Sequence, residues 1–192
     1  MRSRATGVTR SAVATRRLPS SEVTQPFGNL GPTRIGLAAN VRHQSVAALN
    51  RMLAHTLALR DLYKKNHWQT RGATFYQLHL LFDKHATEQT DLADEIAERV
   101  QTLGGVTLAL GVDTAQETRL GRAPRGRESV AAELEELCAA HETILTEARA
   151  LARGAAERGD DGTNDLLVSG VIRTNELQCW FVVEHTAQGA SS

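Results

Sequence analysis

A chain of 192 residues that is 41% apolar but only 4% aromatic, rich in Ala and Leu and poor in β-branched runs, has the balance of helices packed on helices and excludes an all-β domain. Basic and acidic residues number 22 each, so bulk charge selects no partner, and no run of about 18 apolar residues is long enough to cross a bilayer. Cys138 and Cys179 have neither zinc-knuckle spacing nor the density of a disulfide framework, which points to a reducing, cytoplasmic setting.

Residues 1–36 carry six arginines, Arg2, Arg4, Arg10, Arg16, Arg17 and Arg34, against the single acid Glu22. The segment is therefore about +5 and the remainder about −5. With Pro19, Pro26 and Pro32 and no apolar period, it reads as a basic, disordered arm. The same Arg/Ser/Thr-rich composition also describes an organelle transit peptide.

From about Leu37 the pattern changes: Val46, Leu49, Leu53, Leu57, Arg60, Tyr63 and His67 recur at three- and four-residue steps, predicting a long helix that ends near Gly72. Thr74 to Gln77 has the spacing of a capping box and opens a second helix. Its stripe runs through Leu78, Phe82, Ala86, Ala93, Ile96, Val100 and Leu103 to Gly104-Gly105. Residues 105–127 suit a crossover with a short helix over Thr114 to Leu120. A third helix starts at about Ser129, follows Val130, Leu134, Leu137, His141, Ile144, Ala148 and Leu151, and breaks at 159–162. A fourth runs from Thr163 to about His185 with Leu167, Val171, Thr174, Leu177, Phe181 and Val182 inward. Four long helices with one long central connection over residues 37–188 predict an all-α, ferritin-like four-helix bundle, followed by a short tail at 189–192. An up-down-up-down bundle with a flexible middle loop is the alternative.

The second helix carries two polar pairs, His79 with Asp83 and Asp94 with Glu98, all within about 100° of its surface. Either pair alone reads as an ordinary solvated pair. Apolar neighbours on both sides make uncompensated charge costly there, which a cation would offset. Asp83 and Asp94 are about 16 Å apart along the axis, so one helix cannot close a site. A two-fold axis would set His79 and Asp83 of one chain against Asp94 and Glu98 of another. No histidine has a Glu three residues before it, so the Glu-x-x-His of an intrachain di-iron site is missing. Adding His67 from the end of the first helix gives two imidazoles and three carboxylates, a set suited to iron(II) and tolerant of zinc or manganese. Trp68 beside it is either an interface ring or a quencher of stray oxidising equivalents. His141, on an apolar stripe, reads as a hydrogen-bonded core histidine, and His43, His55, His85 and His185 suggest no role.

The string Asn66-His67-Trp68, Arg71-Gly72, Phe75, Leu78-His79, Phe82-Asp83, Asp94 and Ala97-Glu98-Arg99, closing on Leu103-Gly104-Gly105, resembles the signature of the Dps family of ferritin-like proteins. The resemblance implies a twelve-subunit hollow shell and ferroxidase sites, two irons each, at two-fold interfaces with His67, His79, Asp83, Asp94 and Glu98 as ligands. It further implies a stored ferric mineral and, in many members, DNA binding, here through the arm arginines; hydrogen peroxide is the expected oxidant because two adjacent iron(II) ions can deliver two electrons to it together, without releasing hydroxyl radical. In that family the start of the fourth helix borders a three-fold pore, where Asp160, Asp161 and Asp165 would draw iron(II) inward; helix capping is their simpler role. Two other readings stand beside this one: a nucleoid-coating protein with secondary iron chemistry, and a non-redox zinc- or manganese-binding bundle.

Overall fold

A computed structural model describes residues 22–186. It places α1 at Ala39–Gln69, α2 at Phe75–Thr102, α3 at Gly111–Glu117 and α4 at Val130–Glu157. A composite last helix follows: α5 at Asp161–Asp165, a π-helical segment at Leu166–Ile172 and α6 at Arg173–Thr186. The α1–α2 pair packs on the pair formed by α4 and the composite helix, and α3 lies against α1 inside the long connection. The core is filled by Leu49, Met52 and Leu59 of α1, Leu78, Phe82 and Ile96 of α2, Leu137 and Ile144 of α4, and Leu167 and Val171 of the π segment, each fully buried. Each such side chain contributes about 1.5–3 kcal/mol. Ala140, Ala148, Ala152 and Ala155, all buried, let the neighbouring helices approach α4 closely.

Helix order follows the sequence expectation, with four local corrections. Thr74 does not form a capping box: it sits at φ −97°, ψ 13° and its side chain caps nothing. A capping hydroxyl needs an extended N-cap, and the turn at Gly72, with φ +105°, delivers Thr74 in a different conformation. The crossover helix lies three residues earlier than expected and ends at Glu117, because Thr118 is already extended and its hydroxyl is engaged by the amide of Leu120 at 3.2 Å.

The third correction concerns the arm. From residue 25 the chain is held against the end of α2. Gln25 Nε2 and the Gly31 amide both donate to the Gly104 carbonyl (3.0 and 2.7 Å), and Arg42 donates to the carbonyls of Gly31 and Leu103. Gly104 has φ +81°, and a Cβ there would lie 2.8 Å from the Gly31 oxygen, so only glycine permits this docking. Any free arm therefore ends before residue 25; Arg2, Arg4, Arg10, Arg16 and Arg17 lie outside the described residues, as does the tail at 189–192.

The fourth correction is the face of the last helix. A π turn inserts extra residue length, which rotates everything after it. Leu167, Val171 and Val182 are buried as the stripe predicts, but Asn175 and Gln178 take the inward places expected of Thr174, Leu177 and Phe181, and Leu177 and Phe181 are 48% and 36% exposed.

Candidate metal centre

α1 ends and α2 begins around the Gly72 turn, which brings His67 and His79 face to face. Their rings stack at 3.9 Å with 17° between planes. Each Nδ1 is bonded to the other residue's backbone carbonyl, at 2.8 Å from His67 and 2.9 Å from His79. A carbonyl only accepts, so both Nδ1 atoms carry a proton, and in the neutral form of each ring it is Nε2 that offers its lone pair. This is the arrangement that orients metal-binding imidazoles, with the non-ligating nitrogen anchored to a carbonyl. The Phe75 ring stacks on His79 at 5.1 Å and completes the wall.

Asp83 stands beside them, its Oδ1 3.9 Å from His67 Nε2. Lys64, one turn before Trp68 on α1, donates to the same Oδ1 at 2.6 Å. That hydrogen bond holds the Asp83 carboxyl below the usual carboxylate range, with the charge of Lys64 adding to it. Asp83 is thus ionised and paired with Lys64, and a cation binding this carboxylate would have to displace or share it. The ammonium also lies 5.8 Å from the ring centroid of Trp68, a cation–π distance.

Asp94 and Glu98 lie elsewhere. Both are exposed on α2 and line, with Leu53, Leu57 and Arg60, a groove of about 910 Å³ between α1 and α2. No imidazole lines that groove. Among the described residues, no three His, Cys, Asp or Glu side chains converge to hold a metal within one chain. The five candidate ligands therefore form two clusters, an imidazole-rich one and a carboxylate pair. Around the first cluster Trp68, Tyr76 and Leu80 are 69%, 68% and 50% exposed, a large apolar rim for a free surface.

Asp160 takes the simpler of its two expected roles, that of a helix cap. It is fully buried, caps α5 by accepting from the Thr163 amide at 3.1 Å, and pairs with Arg99 of α2 at 2.6 Å. Asp161 and Asp165 are exposed. Asp165 lines a second groove, of about 530 Å³, together with Glu88, Asp91 and Glu95 of α2. The spacing of 88, 91 and 95 could have revealed that acidic face from the sequence; Lys64 gave no such signal. His141 is a core residue, fully buried between Tyr63 and Asn175. Arg34 is exposed.

Comparison with known proteins agrees with the all-helical fold. The family described as ferritin-like domain matches residues 46–191. The structure of DpsC from Streptomyces coelicolor superposes with a TM-score of 0.85 at 54% identity, covering 86% of this chain and 96% of that one. The nutrient stress-induced DNA-binding protein of Synechococcus sp. is 31% identical over 83% of this chain and 90% of its own. The DNA protection during starvation protein of Halobacterium salinarum is 32% identical over 76% of this chain and 80% of its own. The chain is a member of the Dps family of ferritin-like proteins.

Proposed function

We propose that this protein takes up iron(II), oxidises it at dinuclear centres shared by two copies of the chain, with hydrogen peroxide as the preferred oxidant, and stores the ferric product in a hollow homo-oligomeric shell that binds DNA through its arginine arm. The observation that carries this reading is the His67–His79 pair, whose Nδ1 atoms are anchored and whose Nε2 atoms, in the neutral rings, offer their lone pairs beside the Asp83 carboxylate. Two imidazoles and one carboxylate are an incomplete set for two metal ions. Asp94 and Glu98, on the same helix but without an imidazole, are the complementary half. A two-fold axis between antiparallel α2 helices joins the halves twice, and the apolar rim of Trp68, Tyr76 and Leu80 is the surface such a contact would bury.

Iron(II) is the substrate. His67, His79 and Asp83 fix one ion, and the partner's carboxylates bring the second close. Two iron(II) ions then give one electron each to one peroxide, which takes up two protons and leaves as two waters, so no hydroxyl radical is released. Lys64 keeps Asp83 ionised and, once displaced, leaves its carboxylate to the metal. The names of the Synechococcus and Halobacterium relatives support the DNA-binding part of the reading.

The test is Asp94→Asn combined with Glu98→Gln, which preserves size and removes charge. Helicity should be unchanged, while peroxide-driven iron(II) oxidation in stopped flow should fall by at least about 100-fold, the upper end of what losing an outer partner costs. Undiminished rates would refute the assignment. Wild-type protein that binds zinc at these residues but leaves iron(II) and peroxide unreacted would establish the non-redox reading instead.

A further inference from the structure

The bundle interior holds a row of polar side chains that the iron chemistry above leaves unused. Tyr63 on α1, Gln89 on α2, His141 on α4 and Asn175 and Gln178 on α6 are all fully buried. Their hydrogen bonds fix each proton. Asn175 Nδ2 donates to the Val171 carbonyl at 2.8 Å, so its Oδ1 is the acceptor facing His141 Nδ1 at 2.9 Å. His141 therefore carries its proton on Nδ1, and Tyr63 donates its phenolic proton to the bare Nε2 at 2.6 Å. Burial holds the imidazole down at about 4, hence neutral, and pushes the phenol well above its usual value. The π segment is what turns Asn175 inward, and π turns recur at functional sites. Tyr63 also stands behind the metal-binding face: it is one turn before His67, and its ring centroid is 6.0 Å from that of Phe82, the neighbour of Asp83.

We infer that Tyr63, hydrogen-bonded to His141, is a one-electron relay that quenches hydroxyl radical formed when a lone iron(II) ion meets peroxide at this face. The inference rests on the iron-oxidation reading. The lone ion becomes iron(III) and splits peroxide into hydroxide and hydroxyl radical. Hydroxyl radical takes one electron from Tyr63 and becomes hydroxide, while the phenolic proton moves along its existing hydrogen bond to His141 Nε2. A neutral tyrosyl radical then faces an imidazolium held by Asn175. A second iron(II) supplies one electron, becoming iron(III), and His141 returns the proton. The pair is restored, and the net change is two iron(II) and one peroxide converted to two iron(III) and two hydroxides.

The chain has two tyrosines, and Tyr76 is 68% exposed, so the radical can be assigned by substitution. Assembled protein given less than one iron(II) per centre is mixed with peroxide, frozen and examined by electron paramagnetic resonance. A tyrosyl signal is expected in wild type and in Tyr76→Phe, and its loss in Tyr63→Phe, with the iron oxidation rate at full loading, where paired ions react without the relay, unchanged. Oxidised Trp68, read by mass spectrometry, should rise in Tyr63→Phe. A signal that survives Tyr63→Phe, or no tyrosyl signal while iron is oxidised, overturns the relay. If iron is not oxidised at all, it is the functional reading that fails, and metal-free protein oxidised by flash-generated ruthenium(III) tris-bipyridine still decides the pair. Formation of the Tyr63 radical, slower in deuterium oxide, supports it; oxidation of Tyr76 alone overturns it.

Discussion

His85 offers a prediction whose size can be worked from its surroundings. It is fully buried, both ring nitrogens lack a hydrogen-bond partner, and its ring meets Tyr63 edge-on at 5.1 Å and Phe181 at 6.0 Å. Burial lowers its pKa from 6.5 to about 4, outweighing the opposing charge of Glu88; Lys84 on the same helix, His141 of α4 and His185 of α6 lower it further. Between those two values the unfolded chain binds a proton that the folded chain refuses, so stability falls as pH drops from 6.5 towards 4. Integrating that linkage between pH 7 and pH 5 gives a loss of about 2 kcal/mol from this one residue. His85→Leu keeps an apolar side chain in the site and removes both unpaired nitrogens. At pH 7 the variant should be more stable by about 1 kcal/mol. Between pH 7 and pH 5 its melting temperature should fall less than that of wild type by about 4–8 °C, measured by calorimetry at one fixed protein concentration because assembly contributes to stability. A variant that loses as many degrees as wild type over that interval would refute the reasoning.

Asp160 should matter for stability rather than for iron entry. Burial pushes its carboxyl up, but hydrogen bonds from Thr163 and the charge of Arg99 hold it below the usual range, so its contribution is present at neutral pH and lost as pH falls through the folded value. Asp160→Ala removes cap and ion pair together and should cost about 3 kcal/mol in denaturant unfolding, with iron uptake by the folded fraction unchanged. Deleting residues 1–21 and keeping the docked stretch from Glu22 should abolish DNA retardation in gels and leave iron oxidation intact. In the full-length protein, affinity should fall with salt at a log–log slope of about −0.9 per phosphate contact, with many arms on one particle adding by avidity. Retardation by the truncated protein would move the DNA site off the arm.

The helices were legible because apolar residues from Val46 to Leu103 and from Val130 to Leu151 keep one period, and the glycines at 72, 104 and 159 end or separate them. The polar stripe was legible for the same reason: His79, Asp83, Asp94 and Glu98 share a helix face whose neighbours are apolar. The turn from α5 into α6 was not, because Leu167, Val171, Thr174, Leu177 and Phe181 already form a regular stripe, and nothing in that spacing reveals a π segment. The misjudged face hid Asn175 and Gln178, and with them the polar row through the core. Docking of residues 25–31 was invisible for a different reason. It rests on backbone carbonyls met by the Gln25 and Arg42 side chains and on Gly104, which leave no hydrophobic pattern. Lys64 was missed because a lysine near a helix end reads as solvated until Asp83 is placed opposite it.

The central claim is that each iron site is built from two chains, and subunit complementation tests it directly. His79→Ala and Asp94→Ala proteins, each assembled alone, lack a ligand in every site and should be inactive. Unfolded, mixed in equal amounts and refolded together, they form mixed two-fold contacts in which one site collects both defects while the other pairs intact His79 and Asp83 with the partner's intact Asp94 and Glu98. With random pairing, half the contacts are mixed and half of their sites are whole, so about a quarter of wild-type iron oxidation should return. Mixtures that remain inactive, although mass spectrometry shows mixed assemblies, would contradict the shared site.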